Sequence, residues 1–210
     1  MKSRRTPQSL IRSYRQVARA HNAEETGRRI LEAFEQCFRN HWFDEITLER
    51  VAKRARVTVR TVIRRFGNKS GLLGALVESM VPELRARRAT PPGDVAEAVE
   101  RILAIYEEIG DGVIRNLAQE ARIPELQPLI EIGRKEHRAV TSRTYAAWLS
   151  RLDAARARRV LDALVIATDV YTWKLLRRDM GRSVAETRTA VLALIEAILR
   201  STEPNSSRES

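Results

Sequence analysis

The chain has 210 residues, enough for one large domain or two small ones, and its 43% apolar content supports a packed core. A single Cys excludes a disulfide framework, no apolar run reaches the length of a membrane span, and the basic opening "MKSRRTPQSLIRSYRQVARAH" has no apolar signal-peptide centre, so a cytoplasmic location is expected. The net charge of +11 is confined to one part. Residues 1–90 hold 20 Lys+Arg and 9 Asp+Glu, residues 91–210 hold 18 of each, and seven basic residues between Val51 and Lys69 meet no acid.

Such a field predicts a polyanion partner for the first part of the chain. Ala, Leu, Arg and Glu dominate and Gly and Pro are scarce, so the fold class is all-α. Residues 1–22 form a basic arm with six Lys/Arg and no acid, expected to be largely mobile. From Ala23 to Asn40 a helix is predicted by Ile30, Leu31, Phe34, Cys37 and Phe38 at helical spacing.

Thr47 then reads as an N-cap, and Leu48, Val51, Ala52 and Ala55 form one apolar face. Three residues on, Thr58 offers a second N-cap, and Val59, Val62, Ile63 and Phe66 continue at i, i+3, i+4, i+7. Gly67 supplies a stop at no steric cost, and Lys69 and Ser70 open a fourth helix bearing Leu72, Leu73 and Leu76. Two short helices joined by a three-residue turn are the helix-turn-helix pattern, whose second helix enters the major groove.

Beyond "ATPPGD" five helices are predicted, at about 94–109, 112–121, 125–150, 153–179 and 184–200, punctuated by Gly110, Gly112, Pro124, Asp153 and Gly181. The domains are thus an arm at 1–22, a helix-turn-helix DNA-binding domain at 23–88, a second helical domain at 89–202, and a disordered tail at 203–210. The last two helices are apolar on more than one stripe, which predicts a homodimer through them, packed as a four-helix bundle.

The segment "ITLERVAKRARVTVRTVIRRFGNKSGLLGALV", Ile46–Val77, resembles the DNA-binding domain of TetR/AcrR-family transcriptional regulators. The matching positions are Thr47, Val51–Ala52, Ala55, Val57–Thr58, Thr61–Val62, Phe66, Lys69 and Leu72–Leu73. The resemblance implies a homodimer on a palindromic DNA operator, with a small-molecule pocket in the second domain, and usually repression relieved by ligand. Three positions depart from the family pattern. Arg56 stands where a turn glycine is usual, Ile63 where tyrosine is usual, and Arg65 where histidine is common.

Val57, Val62 and Phe66 are expected to pack inward. Thr47, Thr58, Thr61, Arg65 and Lys69 are expected on phosphates, since hydroxyls, guanidinium groups and helix N-termini are the usual phosphate partners. Base contacts fall to Val59, Arg60 and Arg64, with Val59 or Ile63 against a thymine methyl. The pocket is expected to draw on Tyr106, Tyr145, Trp148, Asp169, Tyr171, Thr172 and Trp173, whose aromatic walls suit a small apolar or aromatic effector. Asp169, inside an apolar helix, is expected to pair with an Arg or to face that ligand, and His137 reads as a surface helix residue.

Cys37 and His41 supply two ligands and nothing completes a zinc site, so Cys37 reads as a small core residue. No nucleophile elbow, phosphate-binding glycine loop or HExxH motif is present, so no catalytic residue, metal or cofactor is assigned and no enzyme is expected. The competing reading is a helical small-molecule-binding protein or enzyme with an incidental basic surface. A membrane-docking basic helix is disfavoured, because the apolar faces of 48–55 and 58–66 are narrow enough to bury against each other.

Overall fold

The computed structural model describes residues 7–202, with side-chain surroundings from His21 onward. Residues 1–6 of the expected arm and the 203–210 tail lie outside the described residues. No strand occurs among the described residues, in accord with the all-α expectation. Ten α-helices follow in order among the described residues: α1 Pro7–Asn40, α2 Leu48–Ala55, α3 Val59–Phe66, α4 Lys69–Arg87, α5 Val95–Leu117, α6 Gln127–Thr144, α7 Ala146–Leu149, α8 Ala154–Ala167, α9 Val170–Lys174 and α10 Val184–Arg200. None is long and apolar enough to cross a membrane. The chain divides into two compact units at Glu78/Ser79, a point inside α4.

In the first unit, α1 begins at Pro7 rather than at Ala23 and runs unbroken to Asn40. Proline is accepted in a first turn because its missing N–H would have had no partner there. The core is built by Ile30, Phe34 and Phe38 of α1, Phe43 of a short 3-10 turn, Val51 of α2 and Val62 of α3, all buried. Phe38 stacks on Phe34 at 5.9 Å and meets Phe43 edge-on at 6.1 Å. Cys37 is buried on this stripe, as a small core residue should be.

The second unit packs α5, α8, α9 and α10 around Val99, Ile102, Tyr106, Leu164, Trp173 and Ile195. Here three element boundaries differ from expectation. α5 passes straight through Gly110 and Gly112. Gly110 is kept because a Cβ there would lie 2.5 Å from Cζ3 of Trp173, so the glycine creates the seat for that ring. The predicted helix 125–150 divides into α6 and α7.

The predicted helix 153–179 breaks at Thr168, and Asp169 restarts it as the N-cap of α9, accepting from the Tyr171 N–H at 2.9 Å. Asp169 is therefore a cap and not a mid-helix acid. After Lys174 the backbone widens into a π turn over Leu175–Asp179. α10 opens on a capping box between Ser183 and Glu186.

Candidate nucleic-acid interface

α2 ends because Arg56 turns left-handed, at φ 56° and ψ 47°. It is the sole non-glycine residue with positive φ among the described residues. The turn holds that geometry by hydrogen bonds from the Arg56 N–H to Lys53 and from the Val57 N–H to Ala52, at 3.2 and 3.0 Å. This is the wrapped helix end that normally uses glycine, and an L-residue there costs about 1–2 kcal/mol.

Thr58 then caps α3. Its hydroxyl accepts from the Thr61 N–H at 3.2 Å and lies 2.9 Å from Oγ1 of Thr61. Thr47 caps α2 in the same way, accepting from the Arg50 N–H at 3.2 Å. α3 stops at Gly67, φ 75°, whose N–H reaches Ile63 at 2.8 Å. The side-chain oxygen of Asn68 then takes the Gly71 N–H, so Asn68 caps α4.

This frame sorts α3 into two faces. Val62 is buried, while Val59 and Phe66 are half-buried beside it, as is Val57 in the turn. Arg60, Ile63 and Arg64 are exposed and fall at i, i+3 and i+4, on one face. Ile63 is 48% exposed, a large apolar residue between two arginines. Neither Arg60 nor Arg64 donates a hydrogen bond or forms an ion pair within the described residues.

Arg65 is also exposed, but its guanidinium crosses Gly27 of α1, where a Cβ would come 2.6 Å from its Nε. Lys69 is more occupied than its sequence position suggests. Its Nζ donates to the Phe43 carbonyl at 2.8 Å and lies 4.4 Å from that ring's centroid. Arg54 donates to the Gln36 side chain of α1 and Arg50 to His41 just beyond its end.

Of the seven expected pocket residues, Tyr145 lines a small cavity of about 20 Å³ in the second unit, together with Arg88, Val99, Ile102, Thr144 and Thr168. The other six do not line it. The Tyr106 hydroxyl donates to the Thr168 carbonyl at 3.3 Å, and burial raises its pKa. Trp173 is buried with its indole N–H on Glu107 at 2.7 Å, and Thr172 donates to the Ile166 carbonyl. Tyr171 is 56% exposed, and Trp148 is half-buried 6.1 Å from the Tyr145 ring.

His137 is buried, which corrects the surface reading. Its Nδ1 lies 2.8 Å from Nη2 of Arg88 and its Nε2 lies 3.2 Å from the Val165 carbonyl. Burial and the Arg88 charge hold its pKa below the ordinary histidine value. Sequence reasoning missed Arg88 and Thr168 as well. The buried stripe Ile130, His137, Thr141 and Thr144 runs at helical spacing along α6, and that period was the signal that could have placed His137 inside.

A short capped helix with an arginine face, set by a tight turn after another short helix, defines a helix-turn-helix DNA-binding domain. Residues 30–76 match the family model described as bacterial regulatory proteins, tetR family. The first unit thus matches that model across its helix-turn-helix, in accord with the resemblance drawn from Ile46–Val77.

An uncharacterised HTH-type transcriptional regulator of Mycobacterium tuberculosis is 29% identical over 103 residues, 48% of this chain and 54% of the relative. A Mycobacterium bovis counterpart matches to the same extent. The chain thus spans about half the length of the curated relatives it matches. The fold is that of a TetR-family transcriptional regulator from Streptomyces coelicolor, with TM-score 0.61 and 18% identity, covering 88% of this chain and 92% of that one.

Proposed function

We propose that the protein is a ligand-responsive transcriptional repressor that acts as a homodimer on a palindromic DNA operator in the cytoplasm. The observation that carries this reading is the exposed face of α3, where Arg60 and Arg64 have no partner among the described residues beside an equally exposed Ile63. A guanidinium can pair bidentately with guanine and an aliphatic side chain can meet a thymine methyl. Thr47, Thr58 and Thr61, at the openings of α2 and α3, supply hydroxyls and helix N-termini for phosphates, while Arg65 and Lys69 add positive charge. Val59 completes the leading turn of the reading helix.

Dimerisation is supported by apolar side chains left in solvent in the second unit. Ile166 is 66% exposed, and Leu175, Met180, Val184 and Leu194 are each about half exposed. A second copy is the natural cover for such a set. Genomic selection of bound fragments tests the whole reading, because a dimer must recover half-sites related by a two-fold axis. Arg60→Glu with Arg64→Glu should abolish that recovery while the helical circular dichroism stays unchanged. Sites without two-fold symmetry, or undiminished binding by the double variant, would return the protein to the class of helical ligand-binding proteins or enzymes with an incidental basic surface.

A further inference from the structure

The cavity in the second unit is lined by a half-buried guanidinium that forms no ion pair among the described residues, although the Glu136 carboxylate acts on it from a distance. Arg88 follows the last turn of α4, and burial pulls its pKa down. The one hydrogen-bond partner of its guanidinium among the described residues is Nδ1 of His137. That histidine is neutral. The Val165 carbonyl can only accept, so Nε2 carries the proton, and Arg88 can only donate, so Nδ1 is bare. No carboxylate forms an ion pair with Arg88 among the described residues, and the nearby Glu136 is bound to Arg85.

A second observation points the same way. Tyr145 lines the same cavity, and its hydroxyl is buried with no hydrogen-bond partner among the described residues. A buried donor left unmatched and a half-buried guanidinium without an ion pair both cost stability, and one ligand group answers both.

We infer that this cavity holds the carboxylate head of a small organic acid, with Arg88 supplying the charge and Tyr145 a hydroxyl donor. Carboxylate fits better than water or a neutral ligand. Water satisfies the hydroxyl but leaves the guanidinium uncompensated, whereas two carboxylate oxygens match the planar guanidinium fork. The cavity's volume of about 20 Å³ admits one small polar group, so the head alone enters and the acid's carbon chain lies outside. His137 orients Arg88 and is a positioning residue, held in turn by the Val165 carbonyl and by Thr168 at 3.3 Å.

The inference rests on the ligand-responsive reading above and names the effector class. The test uses the full chain, first without DNA. Butyrate, hexanoate, octanoate and benzoate are titrated by calorimetry beside their primary amides. At least one acid should bind about tenfold or more tightly than its amide, and Arg88→Gln should remove about 10- to 100-fold of the acid's affinity while leaving the amide unchanged. Tyr145→Phe, which deletes the orphan hydroxyl, should fold as stably as the parent and weaken the acid several-fold, so the site remains testable if Arg88→Gln unfolds.

Equal binding of acid and amide, no binding at millimolar concentrations, or affinity indifferent to both variants would overturn the assignment. Operator binding separates the two proposals. An acid that binds through Arg88 but leaves DNA affinity unchanged keeps the site and refutes ligand response. DNA binding with no acid bound keeps the regulator and refutes the site.

Discussion

Replacing Gly110 by alanine should destabilise the second unit, although the same change elsewhere in a helix stabilises. A Cβ at 110 would lie 2.5 and 2.6 Å from Cζ3 and Cη2 of Trp173, where carbon atoms prefer about 3.5–4.0 Å. The ring must therefore retreat by about 1 Å. It has little room to do so. Trp173 is 1% exposed, its indole N–H is held by Glu107 at 2.7 Å, and the Arg178 guanidinium lies 4.5 Å from the ring centroid. Overpacking of this kind costs about 1–3 kcal/mol. Straining a hydrogen bond to a carboxylate adds up to about 1.5–3 kcal/mol, while the gain in helix propensity is about 1 kcal/mol.

The net expectation for Gly110→Ala is a loss of about 1–3 kcal/mol, which lowers Tm by about 2–4 °C per kcal/mol in a chain of this size. Gly133, an exposed residue of α6 with nothing within 4 Å of a Cβ, is the control, and Gly133→Ala should gain about 1 kcal/mol. Scanning calorimetry of both variants decides the matter. The account fails if the two substitutions move Tm in the same direction.

Three further outcomes follow from the geometry. Arg56→Gly relieves a left-handed residue worth about 1–2 kcal/mol against about 0.5–1 kcal/mol of added chain entropy, so denaturation should show a net gain of about 0.5–1 kcal/mol. An unchanged or lower midpoint would mean the turn is not strained. Below about pH 6.5 the unfolded chain binds a proton that buried His137 refuses, so stability should fall as pH drops from about 7 to 5. The groups acting on that imidazole are Arg88, which opposes its charge, and Asp169 and the Val165 carbonyl, which favour it. His137→Gln should flatten the profile of Tm against pH over this range, and an unaltered profile would exclude His137 as its source. For DNA binding, Ile63→Tyr with Arg65→His should shallow the slope of log K against log salt by about 0.9, one phosphate contact. An identical slope would remove Arg65 from the interface.

The DNA-binding unit was legible because its signals are local. Thr47, Thr58 and Gly67 punctuate short helices by bonds that span three or four residues, and the capping geometry follows. The left-handed turn was legible only from the pattern around Arg56, since arginine itself carries no such preference. Distant partners were not legible. Gly110 and Gly112 read as helix ends because each weakens a helix by about 1 kcal/mol, and only the Trp173 ring, 63 positions away, makes Gly110 worth keeping inside α5. Asp169 read as a buried acid in search of a partner because the break at Thr168 was invisible, and His137 read as exposed because its immediate neighbours are charged.

The two halves of the chain handle positive charge differently, and that contrast gives Arg88 its meaning. In the second unit the arginines beside acids are mostly paired: Arg134 with Glu120, Arg138 with Asp162, Arg177 with Glu107 and Arg178 with Asp111. On α3 the arginines are unpaired but exposed, so water screens them and they cost little until a partner arrives. Arg88 has neither compensation. It is half-buried, and the hydrogen-bond partner of its guanidinium is a neutral imidazole. An unpaired cation in solvent is ordinary and gains significance from its neighbours on the helix face. An unpaired cation in a cavity is unfavourable by itself, and a fold that retains one leaves room for an anion.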